Sequence, residues 1–258
     1  MLGNSQDLGE WFEGGKKRHE IVQERLAAEF GETVEFVLKP CWPTERLAEM
    51  LGRWVAETGP DMVYINVTAF PFAYESLPLR FKRILGRFGP AVSDAGLRFA
   101  DSKRWSHNVV FRKLRRYGQA TIGGDTHFTC EQVVERVSEA IRVALRSEGV
   151  FLVVEGPLGR GEPELTRRER RRKESRRQVV HRALKSLCEQ LHVYYIGSDS
   201  PLPPERQHVS GTTVGDGTHF NAAGHARLAE DLYENIRGAW LSRLTLEAPG
   251  TKVGSRED

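Results

Sequence analysis

Met62-Val63-Tyr64-Ile65-Asn66-Val67 is the run that decides the architecture. It is apolar almost throughout, rich in β-branched residues and preceded by the Gly59-Pro60 break. A run of that length and character reads as a strand buried on both faces, as happens when a parallel sheet is covered by helices on either side. Val150-Phe151-Leu152-Val153-Val154 has the same character, and Val193-Tyr194-Tyr195-Ile196 reads as a further strand. Upstream, Val34-Glu35-Phe36-Val37-Leu38 alternates and runs into Pro40, the pattern of a short strand.

Helical spacing fills the intervals. Ile21, Val22, Leu26 and Phe30 form one stripe, stopped by Gly31. Thr44 is placed to cap a helix bearing Leu47, Leu51, Trp54 and Val55. Thr129-Cys130-Glu131-Gln132 is a capping box, and behind it Val133, Val134, Val137, Ile141, Ala144 and Leu145 share a face. A long helix carries Val179, Val180, Ala183, Leu184, Leu187, Cys188 and Leu191, and a last one Leu228, Ala229, Leu232, Tyr233, Ile236 and Trp240. Strands alternating with helices define an α/β protein, expected as a three-layer α/β/α sandwich with a flavodoxin-like parallel sheet of four to five strands. The expected organisation is a single domain over residues 1–246, with an insertion at about 70–125 and a disordered tail at 247–258.

Composition narrows the setting. Hydrophobic residues at 39% suffice for a core, and 28% charged residues cover its surface. No apolar stretch approaches the roughly 18 residues of a membrane span, so no membrane association is expected. The first residues lack the basic-then-apolar pattern of a secretory signal, and a cytoplasmic location is expected. Three scattered cysteines, Cys41, Cys130 and Cys188, form neither a disulfide framework nor a zinc motif and read as reduced thiols. A net charge of +3 over 258 residues gives no reason to expect nucleic acid as a partner.

The chemistry concentrates in Gly215-Asp216-Gly217-Thr218-His219-Phe220-Asn221-Ala222-Ala223-Gly224-His225, just ahead of the last helix. A carboxylate three residues before an imidazole, in a Gly-rich turn, suits a pair that fixes a ring tautomer and activates a hydroxyl. The candidate hydroxyl lies at the other end of the chain, in Gly3-Asn4-Ser5, where Ser5 precedes a helical pattern. Only Met1-Leu2-Gly3 come before it, so its strand is either a stub or belongs to a chain that starts further upstream.

At these residues the sequence resembles the SGNH, or GDSL-type, hydrolases. Gly3-Asn4-Ser5 resembles the family's nucleophile segment, with Asn in place of Asp; Asp216-Gly217-Thr218-His219, followed by Gly224-His225, resembles its Asp-x-x-His segment. The resemblance implies a serine ester hydrolase acting on an acyl or acetyl ester of a small molecule or carbohydrate, with Ser5 as nucleophile, His219 as base and Asp216 orienting the ring. It implies no metal and no cofactor. The implied oxyanion donors are the Ser5 backbone and an asparagine after the third strand, for which Asn66 stands in if that strand ends early. The glycine the family places after the second strand is missing from Lys39-Pro40-Cys41-Trp42-Pro43. A catalytically weak or inactive ligand-binding protein of the same fold is therefore the alternative.

Three further features have plainer readings. His225 lies on the apolar side of its helix and reads as a packed histidine rather than a second base. Gly123-Gly124-Asp125-Thr126-His127 reads as a turn before a capped helix, since one Asp and one His are too few for a metal. The run from Arg167 through Arg177 reads as a solvated helix start supported by Glu169 and Lys173 at i,i+4, with an anionic-polymer binding patch as its functional alternative.

Overall fold

The computed structural model describes residues 1–3, 14–40, 42–85, 88, 110, 113, 117, 118, 121, 123–157, 167–197, 199, 212 and 220–247. In chain order these form β1 (Leu2–Gly3), α1 (Arg18–Phe30), β2 (Lys39–Pro40), α2 (Leu47–Thr58), β3 (Met62–Asn66), α3 (Phe70–Ala73), α4 (Leu77–Ile84), α5 (Cys130–Ala144), β4 (Phe151–Glu155), α6 (Arg167–Gln190), β5 (Tyr194–Ile196) and α7 (Ala222–Glu247). The five strands pair in the order β2-β1-β3-β4-β5, all parallel. That order is the flavodoxin-like one, in which the chain reverses direction across the sheet between β1 and β3.

Alternation along the strands divides two cores. Val63, Ile65, Leu152 and Val154 face one way and pack with Leu51, Val55, Val137, Ile141, Val180 and Leu184 of α2, α5 and α6. Tyr64 and Val153 face the other way, against Val22 and Leu26 of α1 and Ala229, Leu232 and Ile236 of α7. The result is three layers, α/β/α. Burying each of these aliphatic side chains contributes about 1.5–3 kcal/mol. The β3–β4 ladder runs from Met62 opposite Phe151 to Asn66 opposite Glu155, with both strands buried over most of their length, as the two apolar runs predict.

The local signals hold at most helix ends. Gly31 (φ 67°) and Gly59 (φ 51°) close α1 and α2 in the left-handed conformation that glycine adopts without strain. Thr129 caps α5 reciprocally with Gln132: the Gln132 N–H donates to Thr129 Oγ1 (3.2 Å), and the Thr129 N–H donates to Gln132 Oε1 (2.9 Å).

Three readings shift. The early strand is Lys39–Pro40 rather than residues 34–38: among the described residues its partner β1 pairs Leu2 with Lys39 and Gly3 with Pro40. Beyond that ladder the Met1 amine donates to the Val37 carbonyl (2.8 Å), and the Lys39 N–H donates to the Met1 carbonyl (2.9 Å). Thr44 does not cap α2 with its side chain; its carbonyl accepts the Leu47 N–H (3.1 Å) in a turn ahead of the helix. In α6 the buried face is Arg177, Val180, His181, Leu184 and Cys188, while Val179 stands exposed. The stripe is thus continued by polar residues, which an apolar count passes over. Cys130 and Cys188 are free thiols. No described helix is long and apolar enough to cross a membrane.

Candidate active site

All five strands are parallel, so Gly3, Pro40, Asn66, Glu155 and Ile196 end at one edge of the sheet. In open α/β sheets ligands bind outside the carboxyl ends of the strands, where strand order reverses. Here that point lies between β1 and β3. Leu2 pairs with Ile65, so Gly3 stands level with Asn66, the final residue of β3 and the partner of Glu155. The strand ends early enough for half-buried Asn66 to stand at the edge. Ser5, Asp216 and His219 lie outside the described residues. Ser5 comes two residues after Gly3, and His219 immediately before Phe220.

The mouth of α7 is closely fixed. Asn221 caps it, its Oδ1 accepting the Gly224 N–H (3.0 Å), while the Asn221 N–H donates to the Thr212 carbonyl (3.0 Å). A Cβ on Gly224 would lie 2.2 Å from that same carbonyl oxygen, so only glycine fits. One residue on, His225 is 1% exposed and its Nδ1 accepts the Arg18 N–H (3.4 Å), which leaves the ring proton on Nε2. His225 is a packed histidine, as its place in the apolar stripe predicts. Its bond ties the start of α7 to the start of α1, the helix that follows β1.

Behind this tie lies a buried polar group that periodicity alone does not reveal. Arg18 is 4% exposed at the first turn of α1, and Glu155 is 7% exposed at the end of β4. Between them burial drives the Tyr64 hydroxyl well above its ordinary pKa; the Glu155 charge pushes the same way and the Arg18 guanidinium opposes both. Asn235 and Glu155 stand next to that hydroxyl, neither in hydrogen-bonding geometry. The one sequence cue was a carboxylate closing an apolar run.

On the opposite face a second polar chain locks β5 against α6. His181, 1% exposed, places Nε2 3.0 Å from Asp199 Oδ1 and Nδ1 2.9 Å from the Tyr195 hydroxyl. Asp199 also accepts from Lys185 Nζ (3.1 Å), and its carboxyl is held below the ordinary range first by Lys185 and then by His181. An ionised carboxylate only accepts, so Nε2 carries a proton toward Asp199, and the Tyr195 hydroxyl, beside Nδ1, donates to the His181 carbonyl (3.3 Å). The order carboxylate, imidazole, hydroxyl looks catalytic. Yet a Cβ on Gly156 would sit 1.9 Å from the Tyr195 oxygen, and burial pushes that phenol's pKa far up. The hydroxyl is closed against backbone, and the cluster clamps the ends of β4 and β5.

The rim over the α2/α5/α6 face is aromatic and basic. Trp42 meets His127 edge-on at 4.6 Å, and Phe70 stacks on Tyr74 at 4.8 Å. The 123–127 segment is a turn bridged to residue 76: Ser76 and Asp125 exchange both backbone hydrogen bonds, and the Asp125 carboxylate meets Arg80 (3.5 Å) and Arg83 (3.2 Å). Among the described residues no group of three or more His, Cys, Asp or Glu is arranged to hold a metal ion.

No protein-family model matches the chain, and no curated protein matches it. Among solved structures the chain is similar to an extracellular lipase from Streptomyces rimosus, at 15% identity and a TM-score of 0.42, over 93% of this chain and 97% of that one.

Proposed function

We propose that this protein is a serine ester hydrolase acting on an acyl or acetyl ester through Ser5, His219 and Asp216. The observation that carries the reading is the tie between the mouths of α1 and α7 at the carboxyl edge of the sheet, made by the Arg18 N–H and His225 Nδ1. The segment holding Ser5 leaves β1 at this edge and leads into α1; the segment holding Asp216 and His219 leads into α7. Ser5 follows Gly3 by two residues, a span of at most about 7 Å, which supports a nucleophile near the switch point.

In the proposed reaction His219 takes the proton of the Ser5 hydroxyl as the oxygen attacks the ester carbonyl. Asp216 holds the imidazole in the tautomer that accepts it. The backbone N–H of Ser5 and the Asn66 amide stabilise the oxyanion. Collapse expels the alcohol, which takes the proton from His219, and leaves an acyl-Ser5 ester. Water, deprotonated by the same imidazole, then releases the acid and restores the serine.

A fluorophosphonate probe is expected to label Ser5 and to block release of p-nitrophenol from p-nitrophenyl acetate. Labelling of another residue, or none in a folded sample, would remove the proposal. The absence of a glycine after β2 favours a second reading, in which the site binds its ligand with little turnover; one lost oxyanion donor costs about 3 kcal/mol of transition-state stabilisation. That reading expects a ligand-dependent rise in Tm without product release.

A further inference from the structure

The first two turns of α6 are built against the usual rules of helix electrostatics. From Arg167 to Glu174 there are five Arg and one Lys against two Glu, more positive charge than the +3 of the whole chain. They stand at the helix N-terminus, where the macrodipole favours anions and disfavours cations. Arg167 and Arg171 are four apart, as are Arg168 and Arg172, so like charges also face one another along the surface. Arg167, Arg168 and Arg171 are exposed and meet no acidic group among the described residues. A solvated helix face needs no such concentration.

The structure contains its own example of what these guanidiniums hold. Arg168, Arg172 and Arg176 form one i,i+4 row along α6. The inner two converge on a single carboxylate: Glu75, between α3 and α4, lies 3.3 Å from Arg172 and 3.2 Å from Arg176. The row then continues outward to Arg168, with Arg167 and Arg171 beside it. Its position is functional as well as chemical. α6 follows β4 from the carboxyl edge, and it packs on α3, which follows β3 from that same edge.

We propose that the outer arginines of α6 bind the carboxylates of an acidic polysaccharide, and that such a polymer bears the ester presented to the site. The substrate half of this statement rests on the ester-hydrolase reading; the binding half does not. Arginine rather than lysine suits the task, because its planar fork meets a carboxylate with two parallel hydrogen bonds. An internal carboxylate already neutralises the inner end of the row, and a polymer of uronates repeats that group at the outer end. Bound carboxylates also relieve the repulsion among the arginines.

The test uses the full chain and fluorescently labelled polygalacturonate, followed by anisotropy. Wild type is expected to bind, with affinity falling steeply from 50 to 200 mM salt. The triple variant R167Q/R168Q/R171Q is expected to bind at least tenfold more weakly while hydrolysing p-nitrophenyl acetate at the wild-type rate. Its Tm is expected to equal or exceed that of wild type, because repulsion at the helix start is removed; a purely structural role would lower it. The variant R167K/R168K/R171K keeps the charge and loses the fork, and is expected to fall between the two. Ser5→Ala is expected to bind the polymer as wild type does, so a failed esterase proposal leaves this measurement intact. No binding by wild type, unchanged affinity in the glutamine triple variant, or preference for polyuridylate over polygalacturonate would overturn the assignment.

Discussion

On the side of the sheet covered by α2, α5 and α6, twenty buried apolar residues form one continuous cluster among the described residues, and Ile141, Leu184 and Val154 are completely enclosed. On the side covered by α1 and α7 the corresponding cluster has eight, and the two helices are joined along their rims by polar contacts. The Arg25 guanidinium meets Glu230 (2.6 Å) and lies 3.9 Å above the Tyr233 ring, while Glu29 accepts from Tyr233 and from Arg237 (2.6 Å). The first face derives its cohesion from area removed from water, which is insensitive to small displacements. The second relies on directional contacts, which fix the relative position of two helix starts. The candidate site draws its segments from the second.

Deleting atoms should therefore cost more on the first face. Ile141→Ala is expected to destabilise by about 4 kcal/mol, and Ile236→Ala, nearer the surface of its smaller cluster, by about 2 kcal/mol. Urea unfolding midpoints at constant m-value measure both, and equal costs would break the comparison.

Chemical reactivity sharpens it further. Cys188 lies wholly within the α6 face, and burial raises its thiol to about 12, which cuts the thiolate present at pH 8 by roughly a thousandfold. Iodoacetamide is expected to modify Cys188 only in denaturant, whereas amide hydrogen exchange in α1 and α7 proceeds at lower opening energies. Modification of native Cys188 at a rate matching exchange in α1 would show the two faces opening together.

The smallest effect concerns Glu29. The Tyr233 hydroxyl, and then Arg237, lower its carboxyl below the ordinary value. A carboxyl with a folded pKa below its unfolded one adds stability above the unfolded pKa, and that contribution disappears as pH falls through the folded value. The Tm of wild type should therefore exceed that of Glu29→Gln near neutrality, with the gap closing below the usual carboxylate range. A gap unchanged down to pH 2 would assign the latch to packing instead.

These contrasts also explain what could be read from the chain unaided. Val63, Ile65, Leu152 and Val154 announce their strands because an apolar run carries its own evidence. Gly31, Gly59 and the Thr129 box do the same for helix ends. Alternation at residues 34–38 does not make a strand because pairing sets strand length, and among the described residues β1 pairs with Lys39 and Pro40 instead. Arg18, Arg136 and His181 are illegible as core for a related reason: each meets partners on other segments of the chain, whereas Arg177 is held by Glu174 one turn away and by the Pro157 carbonyl. Arg136, for instance, donates to the Pro43 carbonyl (3.0 Å) and pairs with Glu45 (3.0 Å). Of the candidate site, the edge position of Asn66 and the packing of His225 could be inferred from pattern alone. The Arg18–Glu155–Tyr64 group could not, since nothing in local periodicity links residues from three separate elements.

The Arg25–Glu230 pair joins positions 205 apart in the chain. During synthesis α1 emerges well before α7, so Val22 and Leu26 wait for the part of their cover that Ala229, Leu232 and Ile236 supply. Closing that contact brings together two distant parts of the chain, and non-local docking of this kind is the sort of step that slows folding.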